Sequence, residues 1–153
     1  MLLGNLIKCS NKNYRKIVIK SLKFDSRKVK SGDIFFAIKG NRTSGIKFIN
    51  EALSKGASVI ISNKKIKYKN YKAPLLLVKN VRKKLTEAIS KFHKNKPRNI
   101  VAVTGTNGKS SVADFFYQIL NINKVPAASI GTLGLLSKSY NKKTNLTSID
   151  PLS

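Results

Sequence analysis

The chain has one cysteine and one histidine in 153 residues, and that scarcity removes several chemistries. Cys9 has no partner for an internal disulfide, which fits a reducing compartment. Cys9 and His93 together are too few for a zinc-type ligand cluster. A Ser-His-Asp or Cys-His nucleophile is equally unsupported. His93 falls near the end of a helical pattern beside a lysine-rich turn, where positive charge is ordinary. No apolar stretch approaches the roughly 18 residues that a membrane span needs. The opening MLLGNLIKCS has too short an apolar run for a signal peptide. The expectation is a cytoplasmic protein with no membrane partner.

Acidic residues are also few, and the net charge is +25. Such a charge invites a nucleic-acid reading. The arginines, however, are only Arg15, Arg27, Arg42, Arg82 and Arg98. The excess is lysine, which lacks the bidentate fork of arginine. The lysines are spread along the chain, and no nucleic-acid module pattern is visible. We expect no specific nucleic-acid partner, although the positive field would attract small polyanions.

Strand patterns alternate with helical ones. Residues 17–24 alternate apolar and polar, and residues 34–38 form a short continuous apolar run, as in a strand buried on both faces. Phe48, Ile49, Ala52 and Leu53 recur at helical spacing between Gly45 and Gly56, with Gly56 placed as a stop. Strands are predicted at 59–61 and 75–78, separated by a lysine-rich loop over 63–72. Val81, Leu85, Ala88, Ile89 and Phe92 mark an amphipathic helix with Asn80 as its N-cap. Residues 94–97 (KNKP) break that helix and read as a domain boundary, giving domains 1–97 and 98–153. A strand at 100–104, a helix carrying Val112, Phe115, Phe116, Ile119 and Leu120, and a strand at 127–130 follow. The alternation predicts an α/β fold with parallel pairing and right-handed crossovers. Two strands cannot cover the second helix, so residues 98–153 are expected to be marginal alone, while residues 1–97 can hold a core.

The segment 100–111, IVAVTGTNGKSS, carries the strongest chemical signal. Strand, glycine loop, lysine, hydroxyl and helix together make a phosphate cradle. Glycines let backbone N–H groups turn toward phosphates, and the helix N-terminus adds free N–H groups and partial positive charge. Lys109 is predicted to reach the β/γ-phosphates of a nucleotide, and the Ser110 hydroxyl to sit on Mg²⁺. Gly105, Thr106, Asn107, Gly108 and Ser111 complete the loop, with Thr106 and Asn107 acting through backbone amides. The standard eight-residue loop would need a glycine where Val103 stands, so this is the shorter G-x-x-G-K-S form.

That variant, T-G-T-N-G-K-S, resembles the nucleotide loop of the Mur ligases and their relatives, which include folylpolyglutamate synthase and cyanophycin synthetase. Three further blocks extend the resemblance, in order, from about Phe24 to Leu152. Asp25-Ser26-Arg27-Lys28-Val29 leads through Ser31-Gly32-Asp33-Ile34-Phe35-Phe36-Ala37 to Lys39-Gly40, similar to the block that opens MurE- and MurF-type ligases. Ser129-Ile130-Gly131-Thr132-Leu133-Gly134 and Leu146-Thr147-Ser148-Ile149-Asp150-Pro151-Leu152 look like MurE-type segments, although the usual form of the last is close to N-T-T-P-D-P-L.

The resemblance implies an N-terminal UDP-sugar-binding domain followed by the start of a P-loop-type parallel-sheet ATPase domain. It implies that this chain is the N-terminal part of a longer three-domain ligase, which would be a monomer. The implied reaction adds a diamino acid, meso-diaminopimelate or L-lysine, to UDP-N-acetylmuramoyl-L-alanyl-D-glutamate through an acyl phosphate, with Lys109 catalytic. It implies substrate contacts at Phe24, Ser26, Asn41, Arg42, Thr43, Thr147 and Ser148. Asp25 and Arg27 read as structural, and Glu51, Glu87 and Asp114 as solvated charge. A MurF-type ligase and a non-catalytic basic nucleotide-binding module are the alternatives.

Overall fold

In the computed structural model, which describes residues 1–40, 43–66 and 72–143, the chain divides into two compact units, Met1–Lys96 and a second beginning at Pro97. The first unit opens with two short helices, α1 (Leu3–Leu6) and α2 (Lys12–Arg15). Four strands follow: β1 (Ser21–Lys23), β2 (Asp33–Phe36), β3 (Val59–Ser62) and β4 (Leu75–Leu77). Helix α3 (Ile49–Ser54) lies between β2 and β3, and α4 (Val81–Phe92) follows β4. The strands pair in the order β1-β2-β3-β4, all parallel, with Ile34 opposite Val59 and Ile61 opposite Leu76.

Every residue of β2 and β3 is buried, because helices cover both faces of the sheet. Strand side chains alternate between the faces. Ile34, Phe36, Val59 and Ile61 therefore pack with Leu3, Leu6, Val81, Leu85 and Ala88 from α1 and α4. Phe35 and Ile60 point the other way, into Ile49, Ala52 and Leu53 of α3. This is a helix–sheet–helix sandwich. Each fully buried phenylalanine contributes about 1.5–3 kcal/mol relative to exposure.

The helix signals act as the sequence predicts. Asn80 Oδ1 accepts the Lys83 N–H at 2.9 Å and caps α4. Helix α3 stops at Gly56, whose φ of +92° is left-handed. There the Gly56 N–H bonds the Leu53 carbonyl at 2.9 Å and the Ala57 N–H bonds the Ala52 carbonyl at 3.0 Å, the paired C-terminal closure that a glycine permits. The strand expected over 17–24 begins only at Ser21. Residues 17–19 spend their backbone groups on the N-terminus instead. The Leu3 N–H bonds the Ile17 carbonyl at 2.9 Å, and the terminal ammonium of Met1 donates to the Ile19 carbonyl at 2.8 Å.

The second unit holds α5 (Lys109–Ile122) and an antiparallel hairpin of β5 (Ala128–Gly131) and β6 (Gly134–Ser137). Two expectations fail here. Residues 100–104 form no strand, since no partner strand lies beside them among the described residues; Ile100 is 80% exposed. The strand at 127–130 exists, but it pairs antiparallel with its own continuation. Gly134, at φ +101°, permits the reversal, and a side chain there would collide with the Lys142 carbonyl. No residue of α5 is buried, and Phe115, Phe116 and Ile119 stand in solvent.

Candidate functional site

The glycine loop lies at the N-terminus of α5, as its sequence predicts. Gly108 is the N-cap at φ +74°, and no atom lies within 4 Å of where a Cβ would stand. Gly105 has φ +151°. The loop is exposed throughout, so its amides are open to a ligand. The first turn of a helix leaves N–H groups without intrahelical partners, and α5 is long enough for its dipole to act there. The Lys109 ammonium folds back, donating to the Gly105 carbonyl and, at 3.0 Å, to the Thr106 carbonyl. It rests against the loop's own carbonyls. An open, left-handed glycine turn with a lysine and a hydroxyl at a helix start fits a nucleotide phosphate with its magnesium ion.

One residue of this site was missed as a site residue in the sequence. Thr132, in the β5–β6 turn, places its Oγ1 2.6 Å from Ser110 Oγ. The threonine belongs to a quoted block, but only the hairpin, itself unpredicted, brings it to the loop.

Phe24 and Ser26 follow β1, and Thr43 follows β2, at the carboxyl ends of adjacent parallel strands. Ligands of open α/β sheets bind outside the carboxyl ends of the strands. Phe24 is half-buried against the main core. The Thr43 carbonyl accepts the Gly40 N–H at 2.9 Å. Gly45 must be small here, because a Cβ would lie 2.7 Å from the Ile38 carbonyl oxygen. Asn41, Arg42, Thr147 and Ser148 lie outside the described residues.

Ser26 is buried at 5% exposure, and its hydroxyl donates to Glu51 Oε2 at 2.7 Å. Lys55 donates to the other oxygen, Oε1, at 2.8 Å. Glu51 is therefore no free solvated charge. The Lys55 ammonium, and then the Ser26 hydroxyl, hold its carboxyl below the usual glutamate range. Glu87 is likewise paired, with Lys84 at 2.6 Å, and its carboxyl is lowered by that contact. Asp25 and Arg27 form the expected structural pair at 2.9 Å, and the guanidinium lowers the Asp25 carboxyl. Asp25 also caps the turn through the Arg27 N–H at 3.0 Å. His93 caps the C-terminus of α4 and meets the Phe92 ring edge-on at 5.4 Å.

A separate groove of about 670 Å³ opens between the residues linking α1 to α2 and the β4–α4 segment, and none of the predicted site residues line it. Among the described residues no cluster of His, Cys, Asp and Glu is placed to hold a metal, and no helix is long and apolar enough to cross a membrane.

Residues 18–93 match the Mur ligase family, catalytic domain, a span that covers the four-stranded sheet and stops before the glycine loop. The UDP-N-acetylmuramoyl-L-alanyl-D-glutamate--2,6-diaminopimelate ligase of Rickettsia montanensis is 44% identical over 140 residues, 88% of this chain and 29% of that protein. The Rhizobium meliloti (strain 1021) protein of the same name is 39% identical over 137 residues, covering 90% of this chain and 28% of its own length. A solved structure of a UDP-N-acetylmuramoyl-L-alanyl-D-glutamate--2,6-diaminopimelate ligase aligns with 99% of this chain and 31% of that one, with a TM-score of 0.76 and 25% identity. The Thermotoga maritima MurF ligase, solved in complex with ADP, aligns with 69% of this chain and 24% of its own at TM-score 0.54 and 30% identity. The chain thus spans less than a third of the length of the curated relatives it matches. With its sheet inside the family match and its sequence close to these enzymes, the chain belongs to the Mur ligase family.

Proposed function

We propose that the chain is the N-terminal part of an ATP-dependent ligase of peptidoglycan synthesis that adds 2,6-diaminopimelate to UDP-N-acetylmuramoyl-L-alanyl-D-glutamate. The observation that carries the reading is the glycine loop seated on the N-terminus of α5, with Lys109 and Ser110 at its end. The specific substrate pair comes from the relatives, which bear that name at up to 44% identity. Their agreement favours this ligase over a MurF-type enzyme or a basic binding module.

In this reading residues 1–97 hold the UDP-sugar and residues from 98 onward hold ATP. The loop amides and Lys109 compensate charge on the β and γ phosphates, and the γ-phosphoryl group passes to the substrate carboxylate. The diamino acid's amine then displaces phosphate from the acyl phosphate, forming the amide. Such a transfer depends chiefly on positioning and electrostatics. Mg²⁺, when bound, supplies charge neutralisation on the phosphate oxygens, and Ser110 is the residue of this chain that would hold it. Phe24, Ser26, Asn41, Arg42, Thr43, Thr147 and Ser148 are the proposed substrate contacts. Ser26 must release Glu51 to donate to a ligand. The work is done in the cytoplasm, where UDP-sugars and ATP are found together.

The test is turnover by the full-length polypeptide with ATP, Mg²⁺, the UDP-dipeptide and either 2,6-diaminopimelate or L-lysine. Phosphate release with a product heavier by one diaminopimelate residue is expected, and Lys109→Ala should lower the rate at least a hundredfold while UDP-dipeptide binding survives. Product with lysine alone would overturn the amino-acid assignment. Near-normal turnover in the variant would overturn the role of Lys109.

A further inference from the structure

We infer that Thr132 is a positioning residue for Ser110, holding that hydroxyl in the orientation in which its oxygen can face a cation on the nucleotide phosphates. The inference rests on the nucleotide reading above and adds a residue that neither the glycine-loop motif nor the family match contains.

The contact itself is short and specific. Ser110 Oγ and Thr132 Oγ1 are 2.6 Å apart although both residues are exposed, so crowding does not force them together. The turn that carries Thr132 is fixed from behind. Gly131 pairs with Gly134 across the hairpin. The next residue, Leu135, exchanges two backbone hydrogen bonds with Lys142, at 2.8 and 2.9 Å. Strand β5 also lies beside α5. Thr132 is thus presented to the start of α5 by a braced backbone.

The chemistry follows from what a hydroxyl can offer, one hydrogen and two lone pairs. To face a cation, Ser110 must turn its oxygen outward and send its hydrogen elsewhere. Thr132 Oγ1 is an acceptor at the right distance. Once it accepts from Ser110, its own hydrogen is free to donate to a phosphate oxygen. Lys109 cannot perform this task, since its ammonium is a donor only and rests on the Gly105 and Thr106 carbonyls.

The experiment is ADP binding to the full-length polypeptide by titration calorimetry, with excess Mg²⁺ and again with EDTA. Thr132→Val keeps the β-branched shape suited to a hairpin and removes the hydroxyl; Thr132→Ser keeps the hydroxyl. Thr132→Val is expected to weaken binding about tenfold with Mg²⁺, the scale of one hydrogen bond to a charged group. With EDTA it should stay within about twofold of the parent, and Thr132→Ser should restore the Mg²⁺ value. A Thr132→Val protein that binds like the parent with Mg²⁺, or that loses equally in both conditions, overturns the inference and leaves the nucleotide reading standing. A parent that binds no ADP in either condition overturns both.

Discussion

Replacing Gly108 with alanine isolates the backbone geometry of the phosphate loop. Gly108 has φ +74°, and the space where a Cβ would stand is empty to 4 Å. The new methyl group therefore meets no protein atom, and the cost is conformational alone. Holding a non-glycine residue in the left-handed region costs about 1–2 kcal/mol. Because the loop is exposed, the variant escapes that cost by relaxing to negative φ, which turns the loop amides away from a ligand. Binding must then restore the strained form, so ADP affinity should fall by the same 1–2 kcal/mol, a factor of about 5–30. Gly131→Ala is the control, since it too meets nothing within 4 Å and has no left-handed φ. The assay is calorimetric titration of ADP with Mg²⁺ into the full-length polypeptide, with circular dichroism to confirm unchanged helix content. Parent-like affinity in Gly108→Ala would refute the reasoning, because the nucleotide would then not need the left-handed cap.

Three further outcomes follow from the core and its polar rim. Phe36 is fully buried in the main cluster, so Phe36→Ala should cost the first unit about 3–5 kcal/mol, read as a lower denaturant midpoint. Amide exchange should be slowest in β2 and β3 and fast in α5, which has no buried residue; equal protection in both would contradict the burial pattern. Ser26→Ala should shift acid unfolding to higher pH. The folded carboxyl of Glu51 titrates below its ordinary 4.5, so its contribution is present above that value and lost as pH falls through the lower folded value. Removing the Ser26 donor brings the folded value back toward 4.5, and an acid limb that does not move would show that the 2.7 Å bond adds nothing.

The first unit was legible in sequence because local and tertiary signals agree there. Continuous apolar runs at Phe35 and Ile60 sit in strands covered on both faces, and Asn80 and Gly56 bound helices where their chemistry says they should. The errors arose where a partner decides the outcome. Ile17 and Ile19 alternate like a strand, yet the N-terminal residues claim their backbone groups. Ile100 and Val101 have strand propensity but no neighbouring strand among the described residues, and β-propensity alone forms no ladder. The place of the glycine loop at the start of α5 was readable because its signal lies in consecutive residues. The Ser26–Glu51 and Ser110–Thr132 contacts were not, since each joins residues more than twenty apart.

The positive charge gains meaning once the carboxylates are located. Six Asp and Glu face thirty-one Lys and Arg in the sequence. Of the six, only Asp150 lies outside the described residues, and each of the others is engaged within the chain. Asp25 pairs with Arg27, Glu51 with Lys55 and Glu87 with Lys84. Buried Asp33 accepts the Lys30 N–H at 2.9 Å, and Asp114 accepts from the Gln118 amide at 2.6 Å. Pairing consumes the acids and leaves most of the cations uncompensated, and a net positive field of this kind favours polyanions. The same accounting limits what these residues do in the proposed reaction. In the proposed reaction they would gather and hold phosphates, and Asp114, which accepts from the Gln118 amide, is the one acidic side chain on the helix that carries Ser110. Asp114 stands four residues after Ser110 on α5, hence on the same helix face.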